Sequence, residues 1–444
     1  MSVRLARAAG CGVALALALA GLTHGGARAA DEGPVYEVRF EARIVPTERI
    51  ARAEIRLGRG ASALRWLRFD VDPQRHLDFS GDGRIEFEEG AVRWTPPESG
   101  GTLRYVFRID HLRTSSSYDA RCADHWALFR GGDLFPPARV RMRKGAVGRA
   151  TLRLRVPARW SLAVPWPRAG SSRSTFTIED PTRSFDRPTG WMLMGRITTL
   201  EEEIAGTRVV VAGPVDQDVR RHDLLAFLRW TLPAAREVFG GLPERLLLVG
   251  AGDPMWRGGL SGPQSAFLHA ARPLIAHDGT SPVLHEIVHV VMHARSGPEG
   301  DWIAEGFAEY YAVELLARSG TLSREGVKRA FRRMADRGRD AGSLFVRHAG
   351  SDVTARAATV LRVLDRELRR ASDGEGSLDD VAALLMRWDR PLTPGLLRAA
   401  AERVAGRDLA EVFRRETGRS PALPGDLPAP APDPSRTAAA VPGD

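Results

Sequence analysis

SPVLHEIVHVVMHARSGPEGDWIAEGFAEYY, residues Ser281 to Tyr311, is the stretch whose reading decides the fold. It contains H-E-x-x-H as His285, Glu286 and His289. Residues four apart share one face of a helix, so both imidazoles can reach a single metal ion. Glu286 lies beside them, where a general base for a zinc-bound water is needed. The helix has a good start, with Ser281 as N-cap and Pro282 at the first helical position. Val283, Leu284, Ile287, Val288 and Val291 make it apolar enough to be deeply buried. Two histidines and a glutamate buried without partners are costly, and a bound cation supplies the missing partner.

A second helix is expected close behind. Ser296 to Asp301 reads as a loop, Asp301 can cap, and Trp302 to Arg318 has helical character. Glu305 falls sixteen residues beyond His289, far enough for the chain to turn and bring a carboxylate back as third ligand. Glu309, one turn on, can hydrogen-bond a ligand histidine or a substrate amine. Gly306 permits close approach to a neighbouring helix. His293 is one further turn along the first helix, outside the ligand pair, and His269 and His277 read as ordinary polar residues.

The chain before this stretch divides in two. From Asp216 to Phe239 the pattern is helical, with Pro233 inside and Gly240-Gly241 as a stop. Arg245–Val249 is a short strand, and Arg257–Leu268 is a glycine-rich turn running into an apolar segment. Before residue 214 the periodicity is that of strands. Val35–Val45 alternates strictly, and similar runs recur at Ala51–Leu57, Leu64–Val71, Leu103–Ile109, Thr151–Val156 and Phe176–Ile178. A hairpin is expected at Met192–Val211, turning at Ala205-Gly206-Thr207. These short strands predict an antiparallel β-sandwich or saddle that ends near Gly213-Pro214. Asp78 to Glu89 satisfies the calcium-loop spacing of an EF-hand. Its flanks read as strands, so a β-hairpin turning at Ser80-Gly81-Asp82-Gly83 is expected, with Ca2+ the minor reading.

After Ser323 helices are expected at 323–338, 353–371, 376–388, 393–404 and 407–416, packed as a C-terminal bundle. The whole reads as a multidomain α+β chain: a signal peptide at 1–29, a β-domain at 30–213, a catalytic domain at 214–345, a helical region at 346–420 and a disordered Pro/Ala-rich tail at 421–444. The signal peptide rests on Arg4 and Arg7, the apolar run Cys11–Leu22 and the small-residue site Ala27-Arg28-Ala29. It predicts export to a periplasmic or secreted location. No later stretch is long and apolar enough to span a bilayer. Removal of the leader would leave Cys122 as the sole cysteine, without an internal disulfide. The net charge of +9 comes almost wholly from scattered arginine, Lys144 and Lys328 being the only lysines. No basic block forms, and no nucleic-acid partner is expected.

On these motifs the chain resembles the gluzincin metallopeptidases, within them the glycyl aminopeptidase and aminopeptidase N type families. His285, Glu286, His289 and Glu305 match their zinc and base positions, with Trp302, Gly306 and Tyr310 matching around them. The resemblance implies a thermolysin-like zinc metallopeptidase domain behind the β-domain, one Zn2+ per chain, and a peptide or protein substrate. The spacing between His289 and Glu305 is shorter than is usual in aminopeptidase N relatives. In these families a G-x-x-E strand supplies a glutamate that holds the substrate amine; here Gly258-Gly259-Leu260-Ser261 puts Ser261 in that place. They also carry an oxyanion-stabilising tyrosine before a helix like Leu364-Asp365-Arg366-Glu367-Leu368-Arg369. The position here is Thr354, and no tyrosine follows Tyr311. His348 or Arg347 could take its role.

Two functions follow. The first is an exported zinc-dependent metallopeptidase in which Glu286 activates a zinc-bound water; Ser261 argues against strict aminopeptidase specificity. The second is a catalytically weakened zinc-containing binding or scaffold protein of the same fold.

Overall fold

A computed structural model describes residues 33–179 and 185–425 and shows a mixed α+β chain with several sheets. The expected leader at 1–29 and residues 426–444 of the expected tail lie outside the described residues. The start of that tail is packed, because the Pro421 carbonyl accepts a hydrogen bond from Arg398 Nη1 at 2.8 Å.

Val35–Val45 forms the strand expected of it, with Tyr36, Val38, Phe40, Ala42 and Ile44 turned into the core. It sits between Ile50–Leu57 and Val147–Arg155 in a six-stranded sheet. The first pairing is antiparallel and the second parallel, so this sheet is mixed where a purely antiparallel one was expected. The strands between residues 50 and 142 occupy other positions, and the chain re-enters at Val147 alongside Val35. A four-stranded sheet holds Leu64–Asp70 and Ala91–Thr95, and a five-stranded one holds Trp126–Arg130 beside Trp191–Gly195.

The hairpin expected within Asp78–Glu89 does not form. His76–Gly81 pairs with Gly101–Arg108, whereas Arg84–Glu88 pairs with Ala91–Thr95, so the chain crosses between two sheets at this turn. Asp82 anchors the crossing: its Oδ2 accepts from the Thr102 N–H at 2.9 Å and its carbonyl from Trp94 Nε1 at 2.7 Å. Strands His76–Gly81 and Arg84–Glu88 make up most of the segment, and its carboxylates are not gathered into a cation-binding group.

The hairpin expected at Met192–Val211 is split. Trp191–Gly195 stays with the β-half, and only Ile197–Ile204 and Thr207–Pro214 pair with each other, turning at Ala205-Gly206. That pair continues into Arg245–Ala251, Ser265–His269 and the edge strand Gly259–Gly262 as one five-stranded sheet. The boundary read at Gly213-Pro214 therefore falls at the end of a strand belonging to the second half. Alternation gives no hint of which sheet a strand will join.

Helix Arg221–Phe239 makes the crossover between the parallel strands Thr207–Pro214 and Arg245–Ala251 and ends at Gly240 in the left-handed region. One face of the sheet, with Leu246, Leu248, Ala266 and Leu268, is buried under helices. The other, with Leu247, Val249 and Phe267, is buried against Trp191 and Leu128 of the β-half. The free edge Gly259–Gly262 runs along the seam. Helices Arg324–Arg337, Ser351–Ala371, Leu378–Trp388, Pro394–Ala405 and Ala410–Thr417 close the described chain. Among the described residues no helix is long and apolar enough to cross a membrane.

Candidate metal centre

The first site helix spans Pro282–Met292. Ser281 caps it, its Oγ accepting from the Leu284 N–H at 3.2 Å, and such a cap contributes about 1 kcal/mol. Val283, Leu284, Ile287, Val288, Val290 and Val291 are buried, leaving His285 and His289 on the only partly open face. His293 terminates the helix in the left-handed conformation and is exposed, off the ligand face. The second site helix spans Asp301–Arg318 and is buried along most of its length. Gly300 rather than Asp301 is its N-cap; the Asp301 carboxylate instead accepts from Ser296 Oγ and the Ala349 N–H. Gly306 gives the close approach expected of it, against Ala357 of helix Ser351–Ala371, where an added Cβ would sit 2.9 Å from the alanine Cβ.

These two helices bring three side chains to one point. The Nε2 atoms of His285 and His289 are 3.2 Å apart, and each lies 3.3 Å from an oxygen of Glu305. A tetrahedral zinc with bonds of roughly 2.0–2.1 Å requires neighbouring ligand atoms roughly 3.3–3.4 Å apart, so two imidazoles and a carboxylate at this spacing fit that ion. Among the described residues this is the only such cluster of histidine, cysteine and acidic groups. Glu309 completes the group from outside. Its Oε2 lies 3.0 Å from His285 Nδ1, which fixes the tautomer and leaves Nε2 free to ligate.

Burial disfavours protonation of His285, but hydrogen bonds to Glu305 and Glu309 outweigh it and hold the imidazole pKa well above its ordinary value. Burial would raise Glu305; hydrogen bonds with His285 and His289 win and hold its carboxyl well below the usual range. Glu286 is pushed up by burial, opposed by the two histidines and by the Ser261 N–H that it accepts. A glutamate so raised is suited to taking and returning a proton.

The edge strand contributes a contact that the sequence reading missed. A Cβ on Gly259 would sit 2.6 Å from Glu286 Oε1 and 2.7 Å from its Cγ, so Glu286 packs directly on this glycine. The glycines at Gly258-Gly259 read as a turn and the family resemblance reads the same stretch as a strand; Gly259–Gly262 and Ser265–His269 do form an antiparallel pair of strands. A cleft of about 1070 Å³ opens beside His289 and Ser261, with Trp166, Phe185 and Arg187 of the β-half on its far side.

Three expected site residues fall elsewhere. Tyr310 is buried against Phe331 and Tyr311, because one residue past Glu309 turns it about 100° off the ligand face. Thr354 is buried in the first turn of helix Ser351–Ala371, its N–H bonded to the Gly350 carbonyl. His348 is exposed on the preceding loop, which the Ala349–Asp301 hydrogen bond ties to the start of the second site helix.

No protein-family model matches this sequence, and no curated protein matches it either. Solved structures do. An aminopeptidase N family protein from Idiomarina loihiensis aligns with a TM-score of 0.67 at 14% identity, covering 87% of this chain and 77% of its own. The chain has the fold of the M1 zinc metallopeptidases. One of these, from Deinococcus radiodurans, aligns with a TM-score of 0.59 at 17% identity over 90% of this chain and 96% of that one. A variant two-domain M1 zinc metallopeptidase bound to L-tryptophan gives a TM-score of 0.59 at 16% identity over the same shares. In this fold the cluster at His285, His289 and Glu305 lies on two successive helices beneath the free edge of a mixed sheet.

Proposed function

We propose that the chain is an exported zinc-dependent metallopeptidase with His285, His289 and Glu305 as ligands of one zinc and Glu286 as catalytic base. The observation that carries this reading is the ligand triangle at 3.2–3.3 Å with a buried glutamate beside it. Zinc, when bound there, polarises the scissile carbonyl and makes a water molecule more acidic. Glu286 takes the proton from the attacking water and passes it to the leaving amine nitrogen. Gly259 and the Ser261 N–H hold the Glu286 carboxylate, and Glu309 holds the His285 ring. The peptide lies in the cleft beside His289 and the edge strand, and Ser261, which cannot pair with a substrate ammonium, favours internal as well as terminal cleavage.

We divide the chain into a β-domain up to about residue 195, a thermolysin-like domain from 196 to 345, and a C-terminal helical bundle. Export to the periplasm or medium is supported by the pattern at Arg4–Ala29. The catalytically weakened scaffold is the competing reading, favoured by Thr354. Hydrolysis of a mixed peptide library by the wild type and by Glu286→Gln, with zinc measured in both, separates the two. Zinc in both and cleavage only in the wild type supports the peptidase. Equal background hydrolysis in both contradicts it.

A further inference from the structure

The edge strand Gly259–Gly262 also borders the β-half, and there it is flanked by two tryptophans. Trp191 donates its indole N–H to the Leu260 carbonyl at 2.7 Å. Trp256 lies on Gly258 so closely that an added Cβ there would be 2.0 Å from the ring. Each ring carries an arginine: the Arg130 guanidinium carbon is 5.1 Å from the Trp191 centroid, and that of Arg113 is 4.2 Å from the Trp256 centroid. Between them lies buried Asp119, 3.6 Å from Arg130 Nη2 and 3.8 Å from Arg113 Nη1. Neither separation is a hydrogen bond; the carboxylate is instead engaged by His111 Nδ1. Both arginine side chains keep about a third of their surface open, 32% for Arg130 and 37% for Arg113.

Two guanidinium groups are thus held rigid on aromatic faces, sharing one carboxylate that is already bonded elsewhere. The Nε of Arg130 is buried without a hydrogen-bond partner. Stacked guanidinium groups present a planar fork of donors that matches a carboxylate. A peptide pairing with the free edge would turn alternate side chains toward the helices carrying Glu286 and toward the β-half carrying these arginines.

We propose that Arg113 and Arg130 bind a carboxylate of a substrate lying along the edge strand, so that acidic peptides are selected. This rests on the peptidase reading for its location and is tested separately from it. The test uses end-blocked peptides that differ only in carrying Glu or Gln at one position, scanned along the chain. A third, neutral peptide with a free C-terminal carboxylate distinguishes a side-chain carboxylate from a terminal one. Hydrolysis by the zinc-loaded full chain is read as kcat/KM, and binding to Glu286→Gln is read by fluorescence anisotropy. Binding requires no turnover, so the proposal stands or falls even if hydrolysis is absent.

At one position the Glu peptide, or the free-acid peptide, should be preferred at least roughly tenfold, as expected for a charge-assisted bidentate contact. In Arg113→Gln/Arg130→Gln the ratio should fall to about one, with the Gln peptide little changed. Arg113→Lys/Arg130→Lys, whose thermal melt checks folding, should keep part of the preference and lose it with salt. Equal handling of the peptides by the wild type, or a preference that survives Arg113→Gln/Arg130→Gln, would overturn the proposal.

Discussion

The two walls of the metal centre, helical and stranded, are assembled in opposite ways. The helix wall takes His285, Glu286, His289, Glu305 and Glu309 from one continuous stretch, and their neighbours Ser281, Pro282 and Gly306 shape the same two helices. The strand wall takes Trp191, Gly259 and Ser261 from segments widely spaced along the chain, joined only when the β-half packs on the second sheet. Chemistry of a fixed kind can be carried by a local motif. The strand wall depends on tertiary placement, and it departs from the resemblance at Ser261.

Breaking the helix wall should have the largest effect. His289→Ala, or a chelator, removes one corner of the ligand triangle; hydrolysis should fall to background and bound zinc should be lost, as metal analysis would show. Glu286→Gln should keep zinc and fold while lowering kcat by about 10²–10⁴, the usual contribution of a positioned base. A loss of zinc in that variant would mean that Glu286 is a ligand and that the division of roles is wrong.

Where the walls meet, Gly259→Ala should displace Glu286. Its Cβ would arrive within 3 Å of three atoms of that side chain. A misplaced catalytic group can cost up to about 10² in rate, so kcat should drop with zinc content unchanged. Glu309→Gln acts through His285 and should weaken zinc about 10–100-fold in a competition titration. The smallest effect belongs to the strand wall. Trp191→Phe deletes the bond to the Leu260 carbonyl and leaves a small cavity where the indole was, and urea unfolding should show a loss of about 1–3 kcal/mol.

The same contrast explains what the sequence disclosed. Strict alternation in Val35–Val45 and the capped run after Ser281 both appear as expected, because each reports a local period. The helix wall was legible for that reason, down to the close approach at Gly306. Sheet membership was not: Trp191–Gly195 and Ile197–Ile204 are nearly adjacent in sequence yet belong to different sheets. Nor does periodicity say that Arg84–Glu88 will leave the strand before it, or that Val147–Arg155 will run parallel to Val35–Val45. Tyr310 was misplaced by family pattern alone, since the helical step already turns it from Glu309 toward Phe331. Gly259 was overlooked because a glycine's role is set by what approaches it.

The claim on which the rest depends is that one zinc sits between His285, His289 and Glu305. Anomalous diffraction at the zinc edge from crystals of the zinc-loaded chain tests it directly. One peak is expected within roughly 2.0–2.2 Å of His285 Nε2, His289 Nε2 and a Glu305 oxygen, with Glu286 outside that shell. No peak at this point, or a zinc held by other residues, would contradict it.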